Sequence, residues 1–274
     1  MRVPRRTEHG YCERTARKVS GMKALITGAS AGIGRDMAHA LAKRGFELIL
    51  VARREELLEQ LKSELPVPSR VIALDLSRED HCRALYEQTK DEAIDVLINN
   101  AGFGLVGPFH STSLDVELDM INVNVRAVHI LTKLFLRDFV ERDRGYILNV
   151  ASLAAFLPGP MMATYYASKA YVLRITEAVW EELRRRNSGV HVCALCPGPV
   201  PTDFNRIAQA HDFGKGLPSA VVAEYAVRQM LRKKRVIVPG IKFRAASWLS
   251  RLMPTRWLLR FAYSRMLGKG ARSE

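Results

Sequence analysis

Seven short apolar runs punctuate the chain: Lys23–Thr27, Glu47–Ala52, Arg70–Asp75, Asp95–Asn99, Tyr146–Val150, Val190–Leu195 and Arg235–Val238. Within them, hydrophobic residues follow one another rather than alternating with polar ones. That is the pattern of parallel strands covered on both faces. The intervals keep a different period. Apolar positions recur every three or four residues over Gly34–Arg44, Arg54–Glu64, Arg78–Lys90, Leu114–Glu141, Ala163–Arg186 and Pro218–Arg232, which predicts helices. Gly45 ends the first of them as a C′ residue. Strand–helix alternation over this length predicts an α/β fold, a single doubly wound domain with a parallel seven-stranded sheet and helices on both faces. Right-handed crossovers then bring ligand and chemistry to the carboxyl ends of the strands. Past residue 240 the pattern changes to two short amphipathic helices, Phe243–Leu252 and Thr255–Leu267, broken by Pro254.

Length and composition fit this plan. A chain of 274 residues with 48% hydrophobic and 26% charged residues can bury one large core. The net charge of +14 suggests nucleic acid until it is mapped. Residues 1–21 carry +4 and residues 226–274 carry +12, which leaves the middle of the chain near neutral. No nucleic-acid-reading motif accompanies the basic ends, so nucleic acid is not an expected partner. The expected organisation is a basic tail over 1–21, a domain over 22–240 and a basic amphipathic extension over 241–274. Met22 opens the domain and is an alternative start.

Cysteine usage adds little. Cys193 and Cys196 form C-x-x-C, but they lie in a strand, where positions three apart face opposite sides of the sheet. Two buried, inert thiols are expected, with no metal site. Cys12 and Cys82 complete the set, and a reducing compartment, the cytoplasm, is the expected location.

Two short motifs carry chemistry. Thr27-Gly28-Ala29-Ser30-Ala31-Gly32-Ile33-Gly34 follows the first strand and opens the first helix. Gly28 allows the tight turn, Gly32 a close approach to a pyrophosphate, and Gly34 helix–strand packing; the helix N-terminus favours the anion. The spacing is G-x-x-x-G-x-G rather than G-x-G-x-x-G, and the strand before it and helix after it are the context that dinucleotide binding demands. The second strand ends in Ala52-Arg53-Arg54. An acid there would bind a ribose 2′-hydroxyl, whereas arginine suits a 2′-phosphate, so NADP(H) is preferred over NAD(H). Arg53 is the expected main contact, with Ser30 as a hydroxyl donor and Arg54 as a solvated neighbour. The second motif is Tyr165-x-x-x-Lys169, one helical turn apart, with Ser152 upstream. Bringing a phenol from about 10 to about 7 takes about 4 kcal/mol. A cation about 4 Å away at an effective dielectric of about 20 supplies that much. The pair is therefore expected to be a general acid with a lowered pKa.

Taken in order, these motifs resemble the short-chain dehydrogenase/reductase family over about residues 22–240. The elements are Gly28-x-x-x-Gly32-x-Gly34, Asp75 after the third strand, Asn99-Asn100-Ala101-Gly102 after the fourth, Asn124, Ser152, Tyr165-x-x-x-Lys169 and Pro197-Gly198-Pro199-Val200-Pro201-Thr202. The resemblance implies a catalytic set of Asn124, Ser152, Tyr165 and Lys169. Tyr165 would exchange a proton with the substrate oxygen, Ser152 would hold that oxygen, Lys169 would grip the nicotinamide ribose, and Asn124 would support a water relay. It also implies a cofactor site of Gly28, Ser30, Gly32, Ile33, Gly34, Arg53, Asp75, Leu76, Asn100, Gly102, Pro197, Gly198, Val200 and Thr202, with Tyr165 and Lys169. Asn122 is the fallback for Asn124, Asn99 braces the sheet and Tyr166 packs. A homodimer or homotetramer through the two long helices is implied in the same way.

The expected function is an NADP(H)-dependent oxidoreductase interconverting a ketone, aldehyde or 3-oxoacyl group and an alcohol. A non-catalytic NADP(H)-binding regulator on the same fold is the alternative. Apolar pocket candidates (Gly104–Val106, Leu153–Pro158, Met161, Met162 and Phe204) point to a lipophilic substrate, and residues 203–217 to a mobile lid. The C-terminal helices suit peripheral membrane contact, a flap over the substrate or a subunit contact.

Overall fold

The computed structural model describes residues 21–202, 204, 208, 216–250 and 252–270, with 265–270 as backbone alone. The basic tail, Cys12, Arg251 and most of the expected lid, including Asp203 and Gly214, lie outside the described residues.

The apolar runs become β1 Lys23–Thr27, β2 Glu47–Ala52, β3 Ser69–Ala73, β4 Val96–Asn99, β5 Tyr146–Val150, β6 His191–Leu195 and β7 Val236–Ile237. They form one sheet in the order β3-β2-β1-β4-β5-β6-β7, and every pairing is parallel. The edge strands differ most from expectation. β3 starts one residue earlier and ends at Ala73, and β7 keeps two of four expected residues. β7 pairs only through Val236 with Ala194 and Ile237 with Leu195, and an edge strand has no second neighbour to extend it.

Helices alternate with the strands: α1 Gly32–Ala42, α2 Glu55–Glu64, α3 Glu79–Thr89, α4 Leu114–Ile121, α5 Val128–Glu141, α6 Ala163–Arg185, α7 Ser219–Leu231, α8 Ile241–Leu249 and α9 Thr255–Gly270. Successive strand residues feed opposite layers. Ala24, Ile26, Leu48 and Leu50 pack with Met37 and Leu41 of α1 and Val222 and Ala226 of α7. Leu25, Ile49, Leu97 and Ile147 pack with Leu85 of α3 and Leu131 and Phe135 of α5. Cys193 lies in the first layer, and Cys196 in a cluster with Val172 and Leu173 of α6. The C-x-x-C thus points two ways into the core.

One expected helix is not continuous. Leu114–Glu141 contains a π-helical turn over Asn122–Ala127 between α4 and α5. Such a turn barely disturbs the apolar period, so periodicity cannot reveal it, yet π-turns recur at functional sites. Here it carries Asn124.

Candidate active site at the strand ends

β1 and β4 lie side by side, and the chain winds away from them in opposite directions, so a crevice opens beyond their carboxyl ends. Asn100, just past β4, fastens the two sides. Its Nδ2 donates to the carbonyls of Thr27 and Gly28, 3.0 Å each. The Thr27 hydroxyl accepts from the backbone N–H of Asn100 and Ala101 at 3.0 and 3.1 Å. A cleft of about 1070 Å³ sits over this junction.

The floor at one end is the turn from β1 into α1. Gly28 adopts φ +65°, and a Cβ there would stand 2.8 Å from Ala101 Cα. A Cβ on Gly34 would run into the Gly28 carbonyl and the Asn100 amide. Ala31, the N-cap of α1, makes no side-chain hydrogen bond, and the first turn holds no acid. The positive helix end is thereby left for an anion. Arg53, Arg54, Asp75 and Leu76 line the same end. Arg54 is exposed at the start of α2, as expected of it, and it also lines the cleft, where its Nη2 donates to Ser30 Oγ at 3.4 Å. The turn without side chains, the uncapped helix and the arginine–serine pair fit a phosphate-bearing dinucleotide.

The other end holds the hydroxyls and the lysine. Ser152 follows β5, and its Oγ accepts from Ala154 N at 3.1 Å, capping the 3-10 turn Leu153–Phe156. Tyr165 and Lys169 come from α6, and the Tyr165 phenol hydrogen-bonds Ser152. Lys169 is buried and donates from Nζ to Val150 O at 2.9 Å. Asn124 is fully buried behind them. Its Nδ2 donates to Phe103 O at 2.9 Å and Ser168 Oγ at 3.0 Å, while Oδ1 accepts from Phe103 N at 3.1 Å. A Cβ on Gly102 would lie 2.7 Å from Asn124 Oδ1 and 3.1 Å from Lys169 Nζ, so that segment presses directly onto both.

The titration behaviour departs from expectation. Desolvation pushes the Tyr165 phenol up to about 12, against a lowering contribution from Ser152. The same burial brings the Lys169 ammonium down to about 8. Lys169 Nζ lies 5.9 Å from the Tyr165 ring centroid and points at a carbonyl. The protein alone therefore holds the phenol protonated rather than lowering it toward neutrality.

The cleft gathers Gly28, Ser30, Gly32, Ile33, Arg53, Asp75, Leu76, Asn100, Gly102, Ser152, Tyr165, Lys169, Pro197, Gly198, Val200 and Thr202 along one wall system. Gly34 and Asn124 do not line it and act from behind. Leu153, Ala154, Leu157, Met162 and Phe204 supply an apolar end, with the Phe204 ring 5.3 Å from that of Tyr165. Gly104, Leu105, Val106, Ala155, Phe156, Pro158 and Met161, expected with them, do not line the cleft. Tyr166 packs as expected, its ring covering Gly159, and it also lines the cleft. Lys242, Phe243 and Ala246 of α8 and Phe261 and Ala262 of α9 close one side, the placement that the flap alternative for the C-terminal helices implies. Among the described residues no group of three His, Cys, Asp or Glu could hold a metal.

A family model of the short chain dehydrogenases matches residues 22–212. The chain belongs to the short-chain dehydrogenases. This short-chain dehydrogenase is 35% identical to the hydroxysteroid dehydrogenase-like protein 1 of Gallus gallus over 231 residues, 80% of this chain and 68% of that protein. It is 35% identical to the very-long-chain 3-oxoacyl-CoA reductase of Homo sapiens over 201 residues, 68% of this chain and 62% of the relative. Among solved structures, a short-chain dehydrogenase from Sphingobium yanoikuyae in complex with NADPH matches with a TM-score of 0.75 at 28% identity, covering 92% of this chain and 98% of that one. One from Burkholderia phymatum in complex with NAD matches with a TM-score of 0.77 at 25% identity, covering 84% and 92%.

Proposed function

We propose that this short-chain dehydrogenase is an NADP(H)-dependent oxidoreductase that interconverts a lipophilic carbonyl compound (a ketone, an aldehyde or a 3-oxoacyl group) and its alcohol. The observation that carries the reading is one cleft joining a phosphate-binding turn to Ser152, Tyr165 and Lys169. The nicotinamide, when bound, supplies or accepts the hydride. The chain's own residues handle the proton and the positioning. Ser152 holds the substrate oxygen, a one-donor form of oxyanion stabilisation. Tyr165, protonated at neutral pH, gives its proton to that oxygen in reduction and takes it back in oxidation. Lys169 carries its charge below about pH 8 and grips the nicotinamide ribose. Asn124 fixes the Phe103 backbone and supports a water relay to Lys169.

Support for NADP(H) comes from Arg53 and Arg54 beside Ser30, with no acid at the end of β2. One structural neighbour was solved with NADPH and another with NAD. Support for a lipophilic substrate comes from the apolar end of the cleft and from relatives named for steroid and very-long-chain 3-oxoacyl chemistry. Support for a homodimer or homotetramer comes from exposed Leu114 and Leu118 on α4 and Tyr171 on α6. The buried, unpaired thiols of Cys82 and Cys193 accord with the cytoplasm.

A panel of ketones, aldehydes and 3-oxoacyl thioesters, followed by NADPH absorbance, tests the reading. The wild type should turn over at least one lipophilic member, and Tyr165→Phe should bind NADPH as tightly while losing about 10²-fold or more in kcat. If both are inert on every member while NADPH still binds, the regulator reading replaces this one. Arg53→Ala should weaken NADPH more than NADH, and equal wild-type affinities for the two would remove the NADP(H) preference.

A further inference from the structure

Helices α8 and α9 do two things at once. Their inner sides wall the cleft through Phe243, Ala246 and Ala262, and the Phe243 ring is seated where a Cβ on Gly198 would stand, 2.8 Å away. Their outer sides are apolar and basic. Ile241 is 78% exposed and Trp248 67%, seven residues apart and so on one side of α8, and Leu252 just beyond the helix is 65% exposed. On α9, Trp257 is 68% exposed and Leu259 and Tyr263 are also open. Exposed Arg244, Arg256 and Arg260 are interleaved with these, and residues 241–264 contain no Asp or Glu. Two exposed tryptophans among cations are more than ordinary surface helices need.

We propose that the outer face of α8–α9 docks this protein on an anionic membrane surface, so that the cleft behind it takes its lipophilic substrate from that surface. The composition is that of an interfacial helix, with tryptophan and leucine set at the headgroup boundary and arginines facing anionic lipid. No helix of the described residues is long and apolar enough to cross a membrane, so the contact is peripheral. Charge complementarity selects this occupant. A second copy docked through the same patch would set these cations against themselves, and a neutral bilayer would leave them without counter-charge. Docking stands on the exposed face alone; the substrate clause rests on the proposed dehydrogenase activity.

The test uses the full chain carrying Trp180→Phe, so that Trp248 and Trp257 alone report. Vesicles of equimolar phosphatidylcholine and phosphatidylglycerol should blue-shift the fluorescence and carry the protein on flotation. Phosphatidylcholine vesicles should do neither, and about 0.5 M salt should release the protein. In the same background, Trp248→Ser with Trp257→Ser should weaken flotation about tenfold or more while leaving NADPH affinity unchanged, which shows that the variant is folded. Equal binding to both vesicle types, or no binding to either, overturns the proposal. So does an oligomer of the wild type that the double variant dissociates without any vesicle binding. Flotation needs no turnover, so an inert enzyme that floats would sink the dehydrogenase reading and leave docking standing.

Discussion

Lys169 sits where two demands compete. Burial favours its neutral form and the ribose it is proposed to grip favours the ammonium. With its ammonium brought down to about 8, the charge is present at pH 7 and lost as pH rises past 8. NADPH affinity of the wild type should therefore fall steadily above pH 8, and a fluorescence titration should show the same affinity at every pH in Lys169→Met. A wild-type affinity that is flat from pH 7 to 9 would remove Lys169 from the cofactor site. His191 shows burial acting on stability instead. It lies 5% exposed on β6, and desolvation lowers it to about 4 although its Nε2 lies 3.3 Å from the Lys234 carbonyl. The unfolded chain takes up the proton first as pH falls, so the folded state is fully favoured above about 6.5 and loses ground toward 4. The loss should approach about 3 kcal/mol and should be seen as a falling urea midpoint between pH 6.5 and 4. His191→Phe should flatten that dependence.

Elements were legible where their signal was local. The continuous apolar runs located every strand, because a strand covered on both faces has no polar alternation to confuse it. The glycine turn was legible too, since its spacing states a steric requirement. Gly34→Ala should show this directly. The added methyl meets the Gly28 carbonyl and the Asn100 amide, so α1 must move off β1. NADPH affinity should drop more than tenfold, with a lower melting temperature, in a titration run beside a thermal scan. What the sequence concealed depends on contacts far apart along the chain. The π-turn at Asn122–Ala127 keeps the apolar period of a plain helix. Asn149, in the middle of an apolar strand, carries no local signal of a role; it is buried, accepts from Asn99 Nδ2 at 2.9 Å and donates to Thr176 Oγ1 at 3.0 Å. That bridge ties β4 and β5 to the helix bearing Tyr165. Phe243 and Phe261 reach the cleft from more than 70 residues beyond Tyr165, and the composition of their segment leaves a flap over the cleft as one of three alternatives without deciding among them.

At the scale of the molecule, charge and chemistry are segregated. The nearly neutral domain carries the cleft, and the strongly basic C-terminal stretch closes one side of it. The fold supplies the cleft by topology: the strand order reverses between β1 and β4, and the turn at one end and α6 at the other face the same crevice. The glycine turn and the residues Ser152, Tyr165 and Lys169 therefore share one crevice, and under the proposed function phosphate binding and proton transfer serve one reaction there. Transfer of deuterium from NADPH labelled at nicotinamide C4, on either face, to a lipophilic ketone tests this most directly. The account predicts that mass spectrometry will find one deuterium on the carbinol carbon of the wild-type product, from one labelled face alone. Tyr165→Phe, binding NADPH normally, should form the labelled product about 10²-fold more slowly or slower still. Labelled alcohol formed as fast by Tyr165→Phe as by the wild type would contradict it.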